Sequence, residues 1–120
     1  MIAENLVDDN TKVITYAFGK GNEQNENVIK VSSLKNATSE PIISIGNVHY
    51  EILPTDKKLT LLFGEDVALE LSGRGNYGMK PNEKKIETDK SNDVFLTTEK
   101  DVSGYNIVIE CYKETGFKEE

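Results

Sequence analysis

Few side chains in this sequence could do acid–base or nucleophilic chemistry. His49 is the only histidine and Cys111 the only cysteine. The alternation around His49 places it opposite Val48 and Tyr50, toward solvent, with no serine or cysteine beside it to act as a nucleophile. Cys111 lies on the apolar face of a strand pattern and follows Glu110, which favours a buried thiol over a reactive thiolate. We therefore predict no catalytic residue and no enzymatic activity.

Metal and cofactor motifs are also weak. Asp89 to Asp93 resembles the opening of a calcium loop, but Val94 stands where such a loop needs glycine. The twelfth position of the loop is Lys100 instead of glutamate. A single cysteine can form neither an intramolecular disulfide nor a thiolate cluster. We therefore expect no bound metal ion and no cofactor.

The segment from Gly73 to Gly78 matches the glycine spacing of dinucleotide-binding loops. That site needs a helix directly after the glycines, and residues 79–85 have no amphipathic helical face. We predict instead that residues 73–90 form a long exposed loop with one short strand around Ile86. Because arginine and tyrosine are favoured at interfaces, this loop is the candidate partner contact. Its candidate residues are Arg74, Asn76, Tyr77 and Met79.

The apolar residues favour strands over helices. Nineteen are valine or isoleucine and four are alanine, and branching at Cβ suits a pleated sheet better than a helix. Strands are predicted at residues 11–18, 28–34, 42–45, 48–53, 59–63, 67–72, 94–98 and 105–112. The Gly46-Asn47 pair predicts a hairpin turn, and the last two strands are predicted to pair as a hairpin. Val67, Leu69 and Leu71 are predicted to share one face.

About eight short strands with turn signals between them predict an all-β fold, a small antiparallel β-sandwich. Jelly-roll and immunoglobulin-like connectivities stay open at this point. A chain of 120 residues is long enough for one core. We predict a flexible N-terminal segment at residues 1–10, one sandwich domain at 11–113 and a charged C-terminal tail at 114–120.

Charge and the N-terminal sequence limit the partners and the location. The net charge of −7 repels nucleic acid and anionic membranes at long range. Glu4, Asp8 and Asp9 stand where a signal peptide would need a basic and then an apolar stretch. We therefore expect cytoplasmic synthesis without a signal peptide, and no nucleic-acid or membrane partner.

The leading functional hypothesis is a structural or interaction protein that docks on a larger assembly. A virion is the setting that we expect, where the chain would be a capsid decoration, an auxiliary protein or a fibre-associated subunit. The partner would be protein, either further copies of the chain in a homo-oligomer or a larger complex. The alternative is a carbohydrate-binding β-sandwich module. Tryptophan is absent, so sugar rings would stack on Tyr77, Tyr105 or Tyr112.

Overall fold

The computed structural model describes residues 1–118, which form nine strands and one 3-10 turn. No helix within this range has the length and hydropathy needed to cross a bilayer. The 3-10 turn covers Val31–Ser33. The strands are β1 (Ile2–Asp8), β2 (Lys12–Gly19), β3 (Glu26–Ile29), β4 (Ala37–Leu53), β5 (Lys58–Phe63), β6 (Asp66–Ser72), β7 (Arg74–Tyr77), β8 (Val94–Thr98) and β9 (Gly104–Phe117).

The strands form two antiparallel sheets. The five-stranded sheet has the order β1-β2-β9-β4-β7, and the four-stranded sheet has the order β3-β8-β5-β6. Branched and aromatic side chains along each strand fill the space between the sheets, because they pack well on a pleated surface. The prediction of an all-β, small antiparallel β-sandwich is confirmed, with nine strands in residues 1–118 instead of about eight.

The strand order distinguishes the two connectivities that the sequence left open. Four pairs of strands are neighbours: β2 with β9, β3 with β8, β4 with β7, and β5 with β6. The chain is therefore one long hairpin that is rolled into two sheets. In an immunoglobulin fold the first and last strands lie in different sheets, whereas β1, β2 and β9 all lie in the same sheet here. The connectivity is therefore that of a jelly roll.

The core lies between the sheets and is built largely by alternation. Tyr105, Ile107, Ile109 and Cys111 of β9 all point inward and are at most 5% exposed. This confirms the predicted face of the last strand. β9 is central, because it pairs with β2 on one side and with β4 on the other. Facing residues from β5 and β8, chiefly Leu59, Leu61, Val94 and Leu96, complete the core.

Both hairpins predicted around β4 and β9 are wrong. β4 runs without a turn through Gly46, where its register with β9 shifts between Ile45 and Asn47. The Gly-Asn pair therefore makes a bulge, and glycine is needed at position 46 because the Tyr112 ring occupies the space of a Cβ atom. The predicted strands 94–98 and 105–112 are β8 and β9, and they lie in different sheets.

Two other strand predictions also need correction. The register of β6 against β5 shifts so that Leu62 pairs with Val67, and Val67 is 61% exposed. Val67 therefore does not share the face of Leu71, which is buried. The predicted strand 28–34 is shorter than expected, because β3 ends at Ile29 and the 3-10 turn follows.

The first and last strands of the described residues are part of the five-stranded sheet. β1 occupies most of the predicted flexible segment 1–10, and β9 continues to Phe117 within the predicted tail 114–120. Residues 119 and 120 of that tail lie outside the described residues. Lys113 joins the ends: its Nζ donates to Asp8 Oδ1 (2.5 Å), the Asp9 carbonyl (2.5 Å) and the Lys35 carbonyl (2.9 Å). Its side chain is 1% exposed, so the ammonium is held by acceptors instead of water.

Candidate functional site

The predicted contact loop is in part an edge strand. Arg74–Tyr77 form β7, which pairs with Val48–Glu51 of β4, so the loop prediction is wrong for these residues. The physical reason is that β4 otherwise presents an open edge, and strands pair with open edges. Ile86 makes an isolated antiparallel bridge with Ile45, which agrees with the predicted short strand there.

Side-chain contacts hold most of β7 in place. The Arg74 guanidinium forms an ion pair with Glu51, and its Nε donates to Glu51 Oε2 over 2.7 Å. The Tyr77 hydroxyl donates to the Lys84 carbonyl at 2.8 Å. Asn76 and Tyr77 are half-buried. Arg74 remains largely exposed, with 80% of its side chain in solvent.

The end of the same segment is more open. Met79 is 70% exposed and accepts a 3.5 Å contact from Asn47 Nδ2 at its sulfur. Asn76 Nδ2 donates to Asn47 Oδ1 at 2.8 Å, whereas Asn76 Oδ1 is buried without a partner. Arg74 and Met79 are therefore the two candidate residues that a partner could reach without rearrangement, and their role as contacts stays a prediction.

The candidate reactive residues lie where the sequence placed them. His49 is exposed on the outer face of β4. Cys111 is fully buried, and burial, with a smaller contribution from Glu110, raises the pKa of its thiol. Among residues 1–118, no three side chains of His, Cys, Asp or Glu are grouped so that they could hold a metal ion.

A group of apolar side chains covers part of the outer face of the five-stranded sheet. Tyr16 and Phe18 of β2 stack with ring centroids 5.3 Å apart. Phe18 pairs with Ile2 of β1, and Tyr16 pairs with Val108 of β9. Ile2 and Phe18 are 60% and 38% exposed. We define the apolar strip as Ile2, Ile14, Tyr16, Phe18 and Val108.

This strip was not predicted from the sequence, although β2 carries a signal for it. Val13, Thr15 and Ala17 face the core and are fully buried, while the alternate positions are also apolar or aromatic. A strand that is apolar on both faces is typically covered on both faces. Within residues 1–118 no strand or turn packs over the strip as a further layer.

The rim of the strip carries carboxylates. Glu4 pairs with Tyr16 across the β1–β2 register and is exposed. Glu110 lies beside Ile14 in the β2–β9 register and is half-buried. The face is therefore apolar in the middle and polar at its border, where Lys12 of β2 and His49, which pairs with Val108, also lie.

A second feature of this outer face is the ring of Tyr112. It lies across Gly46, so that a Cβ atom built on Gly46 would overlap its Cε2. The hydroxyl donates to Glu110 Oε1 at 3.0 Å, and this hydrogen bond is the main cause of the raised pKa of Tyr112. The side chain is 37% exposed. The bulge in β4 thus holds a partly exposed aromatic ring close to the sheet.

Charged groups of both signs border Tyr112. Lys85 Nζ is 2.9 Å from Glu114 Oε2, and Ser44 Oγ donates to the same oxygen at 2.5 Å. The hydrogen bond from Ser44, followed by that from Lys85, lowers the pKa of Glu114. Lys12 is the cross-strand partner of Tyr112 on β2.

No protein-family model matches the chain, and no curated protein matches it either. The geometry of the outer face is therefore the basis for any functional proposal.

Proposed function

We propose that the protein is a non-enzymatic structural protein that docks on a larger protein assembly through the apolar strip. The observation that carries this proposal is the apolar strip on the outer face of β1, β2 and β9, in which Ile2 and Phe18 are exposed and the other members are half-buried. Contiguous apolar patches on the surface of a folded domain mark interaction sites, because leaving them in water costs free energy.

The composition of the strip supports a protein partner. Tyr16 and Phe18 are stacked on each other, so each has one ring face covered and offers its remaining surface to a packed interface. Aromatic anchors with a polar border fit a partner that is apolar in the centre and polar at the rim. Fully burying one large apolar side chain is worth about 1.5–3 kcal/mol, so a few anchors suffice for specific docking.

A virion is the setting that we propose for this assembly, with the chain as a capsid decoration, an auxiliary protein or a fibre-associated subunit. The partner would be either further copies of the chain or a larger complex. Arg74 and Met79 are exposed on the β7 side of the molecule and would form a second contact. The net charge of −7 favours docking on a surface of opposite charge.

The proposal is tested by native mass from light scattering after size exclusion, for the protein alone and mixed with a particle fraction from its source. The Phe18→Ser, Tyr16→Ser double variant is compared with Val67→Ser. Val67 is exposed on the other sheet, so it is a matched apolar control. We expect the wild type and Val67→Ser to form an oligomer or to co-migrate with the particles, and the double variant to lose this association.

A wild-type protein that stays monomeric and binds no particle would refute the assembly proposal. Association that survives the double variant but is lost in an Arg74→Ala, Met79→Ser variant would reject the apolar strip and move the contact to the β7 side.

A further inference from the structure

We propose that the outer face around Tyr112 is a binding site for a neutral saccharide. This site is distinct from the apolar strip. It is formed by the Tyr112 ring over the Gly46 bulge and by polar side chains from β2, β4, β9 and the segment around Lys85.

The first step of the inference concerns the ring. The apolar face of a pyranose stacks on an aromatic ring when that ring is fixed and one of its faces is open, because C–H groups pack on the π-face. Gly46 lets the Tyr112 ring approach the sheet, and the bond to Glu110 fixes its hydroxyl. The exposed 37% of the side chain is then available to a ligand at little cost in side-chain entropy.

The other tyrosines named by the sequence do not offer this arrangement. Tyr105 is 5% exposed, and its hydroxyl is buried against Gly19. Tyr77 is half-buried and donates its hydroxyl to the Lys84 carbonyl. Of the three candidates for sugar stacking, Tyr112 is the one with both an exposed ring and polar groups beside it.

The charges around the ring favour a neutral ligand. Two carboxylates, Glu110 and Glu114, and two ammonium groups, Lys12 and Lys85, border Tyr112. A strongly anionic or cationic ligand would meet like charges on one side of the ring. A polyol can donate to the carboxylates and accept from the ammonium groups.

Asn47 adds an amide to the site. It pairs with Glu110 in the β4–β9 register, on the same outer face. Its Oδ1 accepts a hydrogen bond from Asn76 Nδ2, which orients the amide. Within residues 1–118 its Nδ2 is engaged only by the sulfur of Met79, which is a weak acceptor. A sugar hydroxyl that replaces this sulfur would accept from Nδ2 without any rotation of the amide.

The test is isothermal titration calorimetry of the full chain with four neutral hexasaccharides, which are the β-1,4-glucose, α-1,4-glucose, β-1,3-glucose and β-1,4-N-acetylglucosamine oligomers. We expect saturable binding of at least one of them. Tyr112→Ala should weaken that affinity by about tenfold or more, because it removes the stacking surface. Tyr112→Phe should retain most of the affinity, since it keeps the ring.

Two controls keep the result specific. Tyr105→Phe changes a buried tyrosine outside the site, and the Phe18→Ser, Tyr16→Ser variant changes the apolar strip; both should bind the saccharide like the wild type. Circular dichroism checks that each variant is folded. Absence of binding for all four oligomers, or binding that Tyr112→Ala leaves unchanged, would overturn the proposal.

Discussion

The two faces of β2 differ in a way that separates stability from association. Val13, Thr15 and Ala17 point inward and are fully buried, whereas Ile14, Tyr16 and Phe18 point outward and keep contact with solvent. The side chains of the inward face pack against the four-stranded sheet. The outward face is nearly as apolar, but no layer within residues 1–118 covers it. A change on the inner face should therefore act on folding, and a change on the outer face on association.

Ile107→Ala is expected to have the largest effect on stability. Ile107 is fully buried in the central strand β9, and its truncation leaves a cavity that should cost about 2–5 kcal/mol. Val108→Ala, one residue along and facing outward, should cost less than about 1 kcal/mol. Urea denaturation monitored by circular dichroism measures both. Equal losses from the two variants would contradict the division between the faces.

Lys113→Met is expected to have the next largest effect. The change removes three hydrogen bonds from a buried ammonium that joins β9 to β1 and to the turn at Lys35. Asp8 keeps the hydrogen bond from the Lys35 amide, so the loss should be about 1–3 kcal/mol. The same denaturation experiment measures it. The exposed Lys20→Met serves as control and should be near neutral.

Phe18→Ser should change stability by less than about 1 kcal/mol, since the side chain is partly in water already. It should nevertheless shorten retention on a phenyl hydrophobic-interaction column, because it removes exposed apolar surface from the strip. Val67→Ser removes an exposed apolar side chain from the other sheet and shows how much the loss of one such residue shortens retention. A larger shift from Val67→Ser would place the dominant apolar patch on the four-stranded sheet.

The smallest expected effect concerns the loss of folding stability at acidic pH. Because the pKa of Glu114 is lowered by Ser44 and Lys85, its ionised form stabilises the fold above the ordinary value of 4.5. That contribution is lost as the pH falls through the lowered folded-state pKa. Glu114→Gln should reduce the decline in stability between about pH 5 and pH 3 by a few tenths of a kcal/mol. Chemical denaturation at both pH values tests this, and an unchanged decline would contradict it.

Local patterns predicted the strands well and their pairing poorly. Alternation correctly assigned the inner face of β9 and the exposure of His49, because each depends on a few neighbouring residues. The Gly46-Asn47 signal failed because glycine inside a strand can mark a bulge or a close approach instead of a turn, and here it makes room for the Tyr112 ring. The predicted face of Val67 was wrong for a related reason. One unpaired position in β6 moves the side chains on one side of it to the other face of the sheet.

The candidate site was predicted only in part. The sequence identified the β7 segment and Tyr112 as candidates. It could not predict that the Tyr112 ring lies over Gly46, because those positions meet only after β4 and β9 pair. The apolar strip was overlooked because three strands contribute to it. Pairing between distant strands is set by the whole fold and has no local signal.

The nested order of the strands has a consequence for how the molecule forms. Lys12 pairs with Tyr112, so β2 must pair with a strand that lies about one hundred residues further along the chain. β9 also supplies the long partner of β4. Folding dominated by such distant pairings is slow, because loop-closure entropy is lost before the contacts form. On the ribosome, the five-stranded sheet can close only after β9 has emerged, and until then β2 and β4 expose unpaired edges that chaperones or neighbouring chains can bind.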